Sequence, residues 1–195
     1  MKRLLLLCMT ILMILTGCSH MKIEDFDNKE PSLVLEDYFS GRVYAWGIFE
    51  DRFGNLRREF LVEIDAYMED NVLVLDEYFL YSDGEKDRRI WRITPEGNGR
   101  YVGRADDIIG TAEGVVRGNA LTWRYQMDLK VGDGSWRVTF DDWMFLQPGG
   151  VLINRATVRK WGVELGQVTL SFMRGDQLTE APFTLIPEAM TSPDY

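Results

Sequence analysis

From Ser40 onward the chain alternates apolar and polar residues with a period of two, and short turn signals cut that alternation into pieces. The alternation is cleanest from Leu121 to Asp142. Trp123, Tyr125, Met127 and Leu129 share one face, and Thr122, Arg124, Gln126 and Asp128 the other. Beyond Gly132-Asp133-Gly134, Trp136, Val138 and Phe140 alternate with Arg137, Thr139 and Asp141. Further turn signals lie at Phe53-Gly54-Asn55, Glu69-Asp70-Asn71, Ser82-Asp83-Gly84, Glu96-Gly97-Asn98-Gly99, Gly118-Asn119, Pro148-Gly149-Gly150 and Gly162. Short loops between successive strands make antiparallel neighbours, and closing the sheet removes its exposed edges. The pattern predicts an all-β fold, an antiparallel meander of about eight to ten strands closing into a β-barrel. One short helix of two turns is predicted before it, over residues 31–39.

Turn lengths give registers. A turn at Gly132-Asp133-Gly134 sets Leu129 opposite Trp136, Met127 opposite Val138, Tyr125 opposite Phe140 and Trp123 opposite Asp142. A two-residue turn at Gly118-Asn119 pairs Arg117 with Ala120, Gly114 with Trp123 and Ala112 with Tyr125, so small residues sit beside large rings. Glu113 then meets Arg124 on the outer face. A four-residue loop, Gln147 to Gly150, sets Leu146 opposite Val151, Met144 opposite Ile153 and Asp142 opposite Arg155. Asp142 falls on the apolar face, where a carboxylate must be paired, protonated or at the barrel mouth. With Arg155 it forms either a structural ion pair or a polar group that orients a ligand in an apolar cup.

One block breaks the period of two. Lys2 and Arg3 precede an apolar run from Leu4 to Leu15, which closes on Leu15-Thr16-Gly17-Cys18. The run is too short for a spanning helix of about 20 residues and fits a secretory signal with small residues at the cut. It resembles the bacterial lipobox, which implies cleavage after Gly17 and lipidation of Cys18. Ser19 stands where an aspartate would resemble an inner-membrane retention signal, so the expected place is the outer membrane, facing the periplasm. The chain divides into a signal peptide (1–17), a lipidated tether (18–30), a barrel domain (31–174) and a loosely held tail (175–195).

Composition removes chemistries. There are 31 acidic against 22 basic residues, net −9, which disfavours nucleic acid. The two cysteines are Cys8 in the signal and Cys18 at the lipid site, and the single histidine, His20, lies in the tether. Disulfides, thiolate nucleophiles, Ser-His-Asp triads and most zinc sites are therefore excluded from the barrel. No catalytic residue, metal or cofactor is predicted. The adjacent acids Asp76-Glu77, Asp106-Asp107 and Asp141-Asp142 point to opposite faces of a strand and form no dyad by themselves. The doublets Arg57-Arg58 and Arg88-Arg89 lie among acids and read as surface charge balance.

Three groups of residues resemble a family of Gram-negative lipoproteins catalogued only as a domain of unknown function. They are Phe39-Ser40-Gly41-Arg42 with Ala45-Trp46-Gly47-Ile48-Phe49 and Asp51-Arg52-Phe53-Gly54; Leu75-Asp76-Glu77 with Asp83-Gly84-Glu85 and Arg88-Arg89-Ile90-Trp91; and Asp141-Asp142-Trp143-Met144 with Ile153-Asn154-Arg155-Ala156 and Leu165-Gly166. The resemblance covers residues 35–174 and implies no established activity. Members are often encoded beside enzymes that modify membrane fatty acids, which implies a lean towards lipid. A looser resemblance is to lipocalin-type barrels, with Gly41 and Trp46 on the first strand, further apart than in the short Gly-x-Trp pattern.

The first expectation is a lipid-anchored barrel binding an apolar ligand such as a fatty acyl chain, through Trp123, Tyr125, Met127, Trp136, Phe140, Asp142 and Arg155. The alternatives are a solid barrel with a structural or interaction role in the envelope, and a hydrolase working through carboxylates on different strands. The expected partners are a membrane, through the N-terminal lipid, and an apolar small molecule.

Overall fold

The computed structural model describes residues 21–131 and 134–187. Ten strands follow one another: β1 (Gly41–Asp51), β2 (Leu56–Glu69), β3 (Val72–Tyr81), β4 (Lys86–Gly97), β5 (Arg100–Arg104), β6 (Ile108–Arg117), β7 (Ala120–Val131), β8 (Gly134–Leu146), β9 (Leu152–Lys160) and β10 (Val163–Arg174). Each pairs antiparallel with the next, and β10 returns to β1, so the sheet is a closed meander barrel. The eight turn signals coincide with junctions of consecutive strands, Gly132 and Asp133 themselves lying outside the described residues. The β5–β6 junction escaped notice because Ala105-Asp106-Asp107 has no glycine or proline. It turns through the Ile108 N–H, which donates to the Ala105 carbonyl at 3.1 Å.

The period-two apolar residues point inward and form one core that includes Val43, Ala45, Val62, Ile64, Leu73, Leu121 and Val138. Rings fit inside because glycines make room. A Cβ on Gly114 would lie 2.1 Å from the Trp123 ring, one on Gly103 2.4 Å from it, and one on Gly47 2.3 Å from Phe60. Outside, ion pairs cross the wall, including Asp76–Arg88, Asp128–Arg137 and Asp141 with both Arg124 and Arg159. A membrane-spanning barrel carries an apolar band in that position.

One end of the barrel is plugged. Leu33, Leu35, Tyr38 and Phe39 are buried in the core, with a single α-helical turn, α1 (Leu35–Tyr38), at the centre. The expected two-turn helix is shorter because Leu33 is tied to the sheet: its N–H donates to the Gly118 carbonyl at 2.8 Å, and Val34 remains extended. Tyr38 Oη donates to the Phe172 carbonyl and Tyr101 Oη to Glu36, fixing the plug to opposite sides of the wall.

Both flanking segments touch the barrel. Within the expected tether, Phe26 sits 5.8 Å from the Trp143 ring and 5.5 Å from Phe145, at the plugged end. Within the expected loose tail, Phe183 meets Tyr44 and Trp46 edge-on, and the Leu185 and Ile186 N–H groups donate to the buried Glu63 carboxylate. These parts of the two segments are therefore held against the outer wall. The leader, Cys18 and His20 lie outside the described residues.

The β7–β8 register has the four expected pairs, Leu129–Trp136, Met127–Val138, Tyr125–Phe140 and Trp123–Asp142. The β6–β7 register has Arg117–Ala120, Gly114–Trp123 and Glu113–Arg124. It then shifts between Ile109 and Glu113, so the expected Ala112–Tyr125 pair is absent; on the other side of β6, Ala112 lies opposite Gly103 of β5. The β8–β9 expectation is overturned. Leu146 faces Leu152, Asp142 faces Ala156, and Arg155 faces Trp143. The loop spans five residues rather than four: the Gln147 N–H donates to the Val151 carbonyl, and Gly149 and Gly150 both take positive φ. A slip of one residue turns every side chain to the other face.

Candidate functional site

A cavity of about 320 Å³ runs from the plug towards the opposite, open rim. That volume lies at the lower edge of the range of about 300–1,000 Å³ typical of small-molecule sites. Its wall is mostly apolar. Leu35 and Phe39 bound it at the plug, Trp91, Trp123, Tyr125 and Phe140 at mid-height, and Phe49, Phe60, Phe79 and Leu129 towards the rim. Tyr125 stacks on Phe140 at 5.0 Å between centroids, and Trp91 meets both Trp123 and Tyr125 edge-on. The two stacked rings come from the directly opposed pair of the β7–β8 register.

Five of the seven expected ligand-binding residues line this cavity: Trp123, Tyr125, Met127, Phe140 and Asp142. Two do not. Trp136 has the inward parity of Val138 but lies near the start of β8, beyond the packed wall. It is 42 % exposed, with the Lys160 ammonium 4.0 Å from its ring. Arg155 points outward from β9, so the expected Asp142–Arg155 pair does not form, and both roles proposed for it fall with the register.

Polar groups interrupt the apolar wall at mid-height. Asp142 is buried, its Oδ1 has no hydrogen-bond partner among the described residues, and its pKa is pushed up to about 8. Desolvation is the main cause and the Asp141 carboxylate adds to it, while Arg89 and the Asn154 amide oppose it. Glu77, on β3, also lines the cavity, and burial raises its pKa to about 7 against the attraction of Arg89. Arg89 is the cation of this group, and it donates through Nε to Asp107 at 2.9 Å. Tyr125 has its phenol pKa raised by burial and by the neighbouring Asp142. Near the rim, Arg58 lies over the Tyr81 ring at 3.5 Å and pairs with Asp83 and Glu85, leaving a buried Nε without a partner among the described residues.

Sequence reasoning passed over Arg58, Glu77 and Arg89 because each sits in a charged doublet. A parity count finds all three: Arg89, Trp91 and Ile93 share a face, as do Leu75, Glu77 and Phe79, and Arg58, Phe60 and Val62. Chemically, the site is an apolar cup with an acid that is largely neutral at pH 7, a second acid titrating near neutrality, and two guanidinium groups held mainly by other carboxylates. Among the described residues no cluster of three or more acids, histidines or cysteines could hold a metal ion.

No curated protein matches this chain. The match that exists is to a family, it spans residues 12–174 and so takes in every strand and the cavity they enclose, and the chain belongs to that family, described as Protein of unknown function (DUF3833).

Proposed function

We propose that the barrel binds a single-chain apolar ligand, of the fatty acyl class, and holds it in the cell envelope on a lipid anchor at Cys18. The observation that carries the reading is the cavity itself, apolar along most of its length and bordered by two polar atoms without a hydrogen-bond partner among the described residues, Arg58 Nε and Asp142 Oδ1. An acyl chain fits among Trp91, Trp123 and Phe140, where water makes few hydrogen bonds. A carboxylate or ester carbonyl accepts from the Arg58 Nε–H. The neutral Asp142 carboxyl offers a further donor without introducing a buried charge. The periplasmic, outer-membrane placement rests on the lipobox-like Leu15-Thr16-Gly17-Cys18 and on Ser19.

Native mass spectrometry of the purified full chain, followed by titration with a fluorescent fatty acid, tests the ligand. A co-purified lipid or one-to-one uptake is expected. A bare mass with no uptake would sink the ligand reading and favour the solid-barrel alternative. Radiolabelled palmitate should enter the wild type and not Cys18→Ser, and absence of label from the wild type would remove the anchor.

A further inference from the structure

We propose that one half of the open rim is a docking face for a lipid bilayer bearing anionic headgroups. At this rim Trp161 is 92 % exposed, Phe53 74 %, Leu56 and Val163 each 53 %, and Trp136 42 %. Single exposed apolar residues are ordinary on any protein, whereas a contiguous group of them marks an interaction surface. These five lie on neighbouring strand ends. Phe53 lies in the β1–β2 turn and Leu56 starts β2, Trp161 lies in the β9–β10 turn and Val163 starts β10, and Trp136 lies near the start of β8. In the closed sheet β10 lies between β1 and β9, and β9 pairs with β8. The turns are tied together. The Arg52 N–H donates to the Leu165 carbonyl at 2.9 Å, and the Lys160 ammonium lies 4.0 Å from the Trp136 ring and 4.8 Å from Trp161.

The charges say what the face meets. Cations stand beside the rings on this half, with Arg52 4.7 Å from the Phe53 ring and Lys160 between the two tryptophans. The acids of this half are Glu50, Asp51 and Glu164, with Asp51 held by Arg57; on the other half Asp83 and Glu85 pair with Arg58, and Asp107 with Arg89. A chain of net charge −9 is repelled from an anionic surface as a whole. An approach that puts Arg52 and Lys160 forward, beside the exposed rings, brings these two cations nearest the headgroups. Tryptophan rings flanked by lysine and arginine suit the headgroup level of a bilayer, where one part of the ring is apolar and another is wet. The cavity opens at the same rim, so a docked barrel gives an acyl chain a path that avoids bulk water. The docking argument uses residues outside the cavity wall and does not require the cavity to be filled.

The chain has no tryptophan before Trp46, so tryptophan emission reports the barrel and not the N-terminal segment. The full chain is mixed with vesicles of phosphatidylcholine and phosphatidylglycerol whose acyl chains are brominated, and the spectrum of Trp161→Phe is subtracted from that of the wild type. The difference isolates Trp161. Its emission should move to the blue and be quenched by bromine several-fold more strongly than that of Trp46 on the outer wall, isolated in the same way with Trp46→Phe. Vesicles of phosphatidylcholine alone should quench less, and Phe53→Ser combined with Lys160→Ser should reduce the quenching further. Trp161 emission that stays accessible to acrylamide and indifferent to brominated lipid, while the protein sits on the vesicles, overturns the proposal and leaves a protein partner for this face. Fatty-acid titration of the same variants separates the two readings. Uptake without lipid contact refutes docking alone, and lipid contact without uptake refutes the ligand alone.

Discussion

Asp142→Asn should make the barrel more stable at high pH while changing little in acid. Asp142 is buried on the inner face of β8, and its carboxyl pKa rises from an ordinary 3.8 to about 8. The groups around it are Asp141, which raises the value, Arg89 and Asn154, which lower it, and Tyr125, whose own pKa Asp142 raises. Between the two values the unfolded chain is ionised at this site and the folded chain is protonated. The folded state therefore binds one more proton, and stability falls by about 1.4 kcal/mol for each unit of rising pH. From about pH 5 to about pH 8 the loss sums to an upper bound of about 4 kcal/mol, a large share of a domain's stability of about 5–15 kcal/mol. Asparagine keeps the shape and cannot ionise. Urea unfolding at about pH 5, 6, 7 and 8 should give two lines that nearly meet in acid and diverge in base, with Asp142→Asn the more stable. Parallel lines would refute the reasoning, because they would mean that Asp142 ionises alike in the folded and unfolded chain.

Glu77→Gln should act with the same sign in a lower window, from the ordinary 4.5 to about 7, seen as a shallower fall of stability with pH over that range in the same titration. Arg89→Met removes the cation beside Glu77, Asp107 and Asp142, and should cost about 3–5 kcal/mol. The double change with Glu77→Gln should recover part of that, and no recovery would show that Arg89 acts through packing. Gly114→Val forces a side chain into the Trp123 ring and should cost about 1–3 kcal/mol with a changed near-ultraviolet dichroism. Trp123→Ala should cost about 3–5 kcal/mol in urea unfolding if the wall is packed behind the ring, and less if the ring faces only cavity.

How far the sequence could be read depended on how each turn closes. The β7–β8 hairpin combines unbroken alternation with a glycine turn, so parity and pairing agreed along its whole length. The next hairpin has the same quality of alternation, and its register still slipped by one. Nothing in Gln147-Pro148-Gly149-Gly150-Val151 says whether Val151 belongs to the strand or to the loop. Two glycines at positive φ and the hydrogen bond from Gln147 to Val151 decide it. That slip alone carried Arg155 to the outer wall. The interior cation was missed for a different reason. In a doublet such as Arg88-Arg89 one residue always faces out, and Arg88 does pair with Asp76 on the surface, so the bland reading was correct for half of it. The other half became legible once Trp91 fixed the face. The bulge in β6 left one trace in the sequence, Gly110 within the strand, which takes a positive φ of 73°, whereas the glycine-free β5–β6 turn has no comparable signature.

The two ends of the barrel are chemically unlike, and that difference organises the proposals. Phe26, Asp27 and Leu33 attach the incoming chain at the plugged end, through Trp143 and Phe145, Arg117 and the Gly118 carbonyl respectively. The rim with Trp161 and Phe53 lies at the opposite ends of the same strands. Cys18 is separated from Phe26 by eight residue steps, an extended reach of about 28 Å. On the anchoring reading, a barrel standing on its plugged end points its rim away from the membrane that holds it, and a barrel lying over brings the rim back to that membrane. Anchoring and docking are thus independent contacts made by opposite ends. A protein with only a structural role in the envelope has no evident need for exposed rings around the mouth of a cavity. A carrier that takes up or delivers an acyl chain at a bilayer needs both features, and needs them at one end.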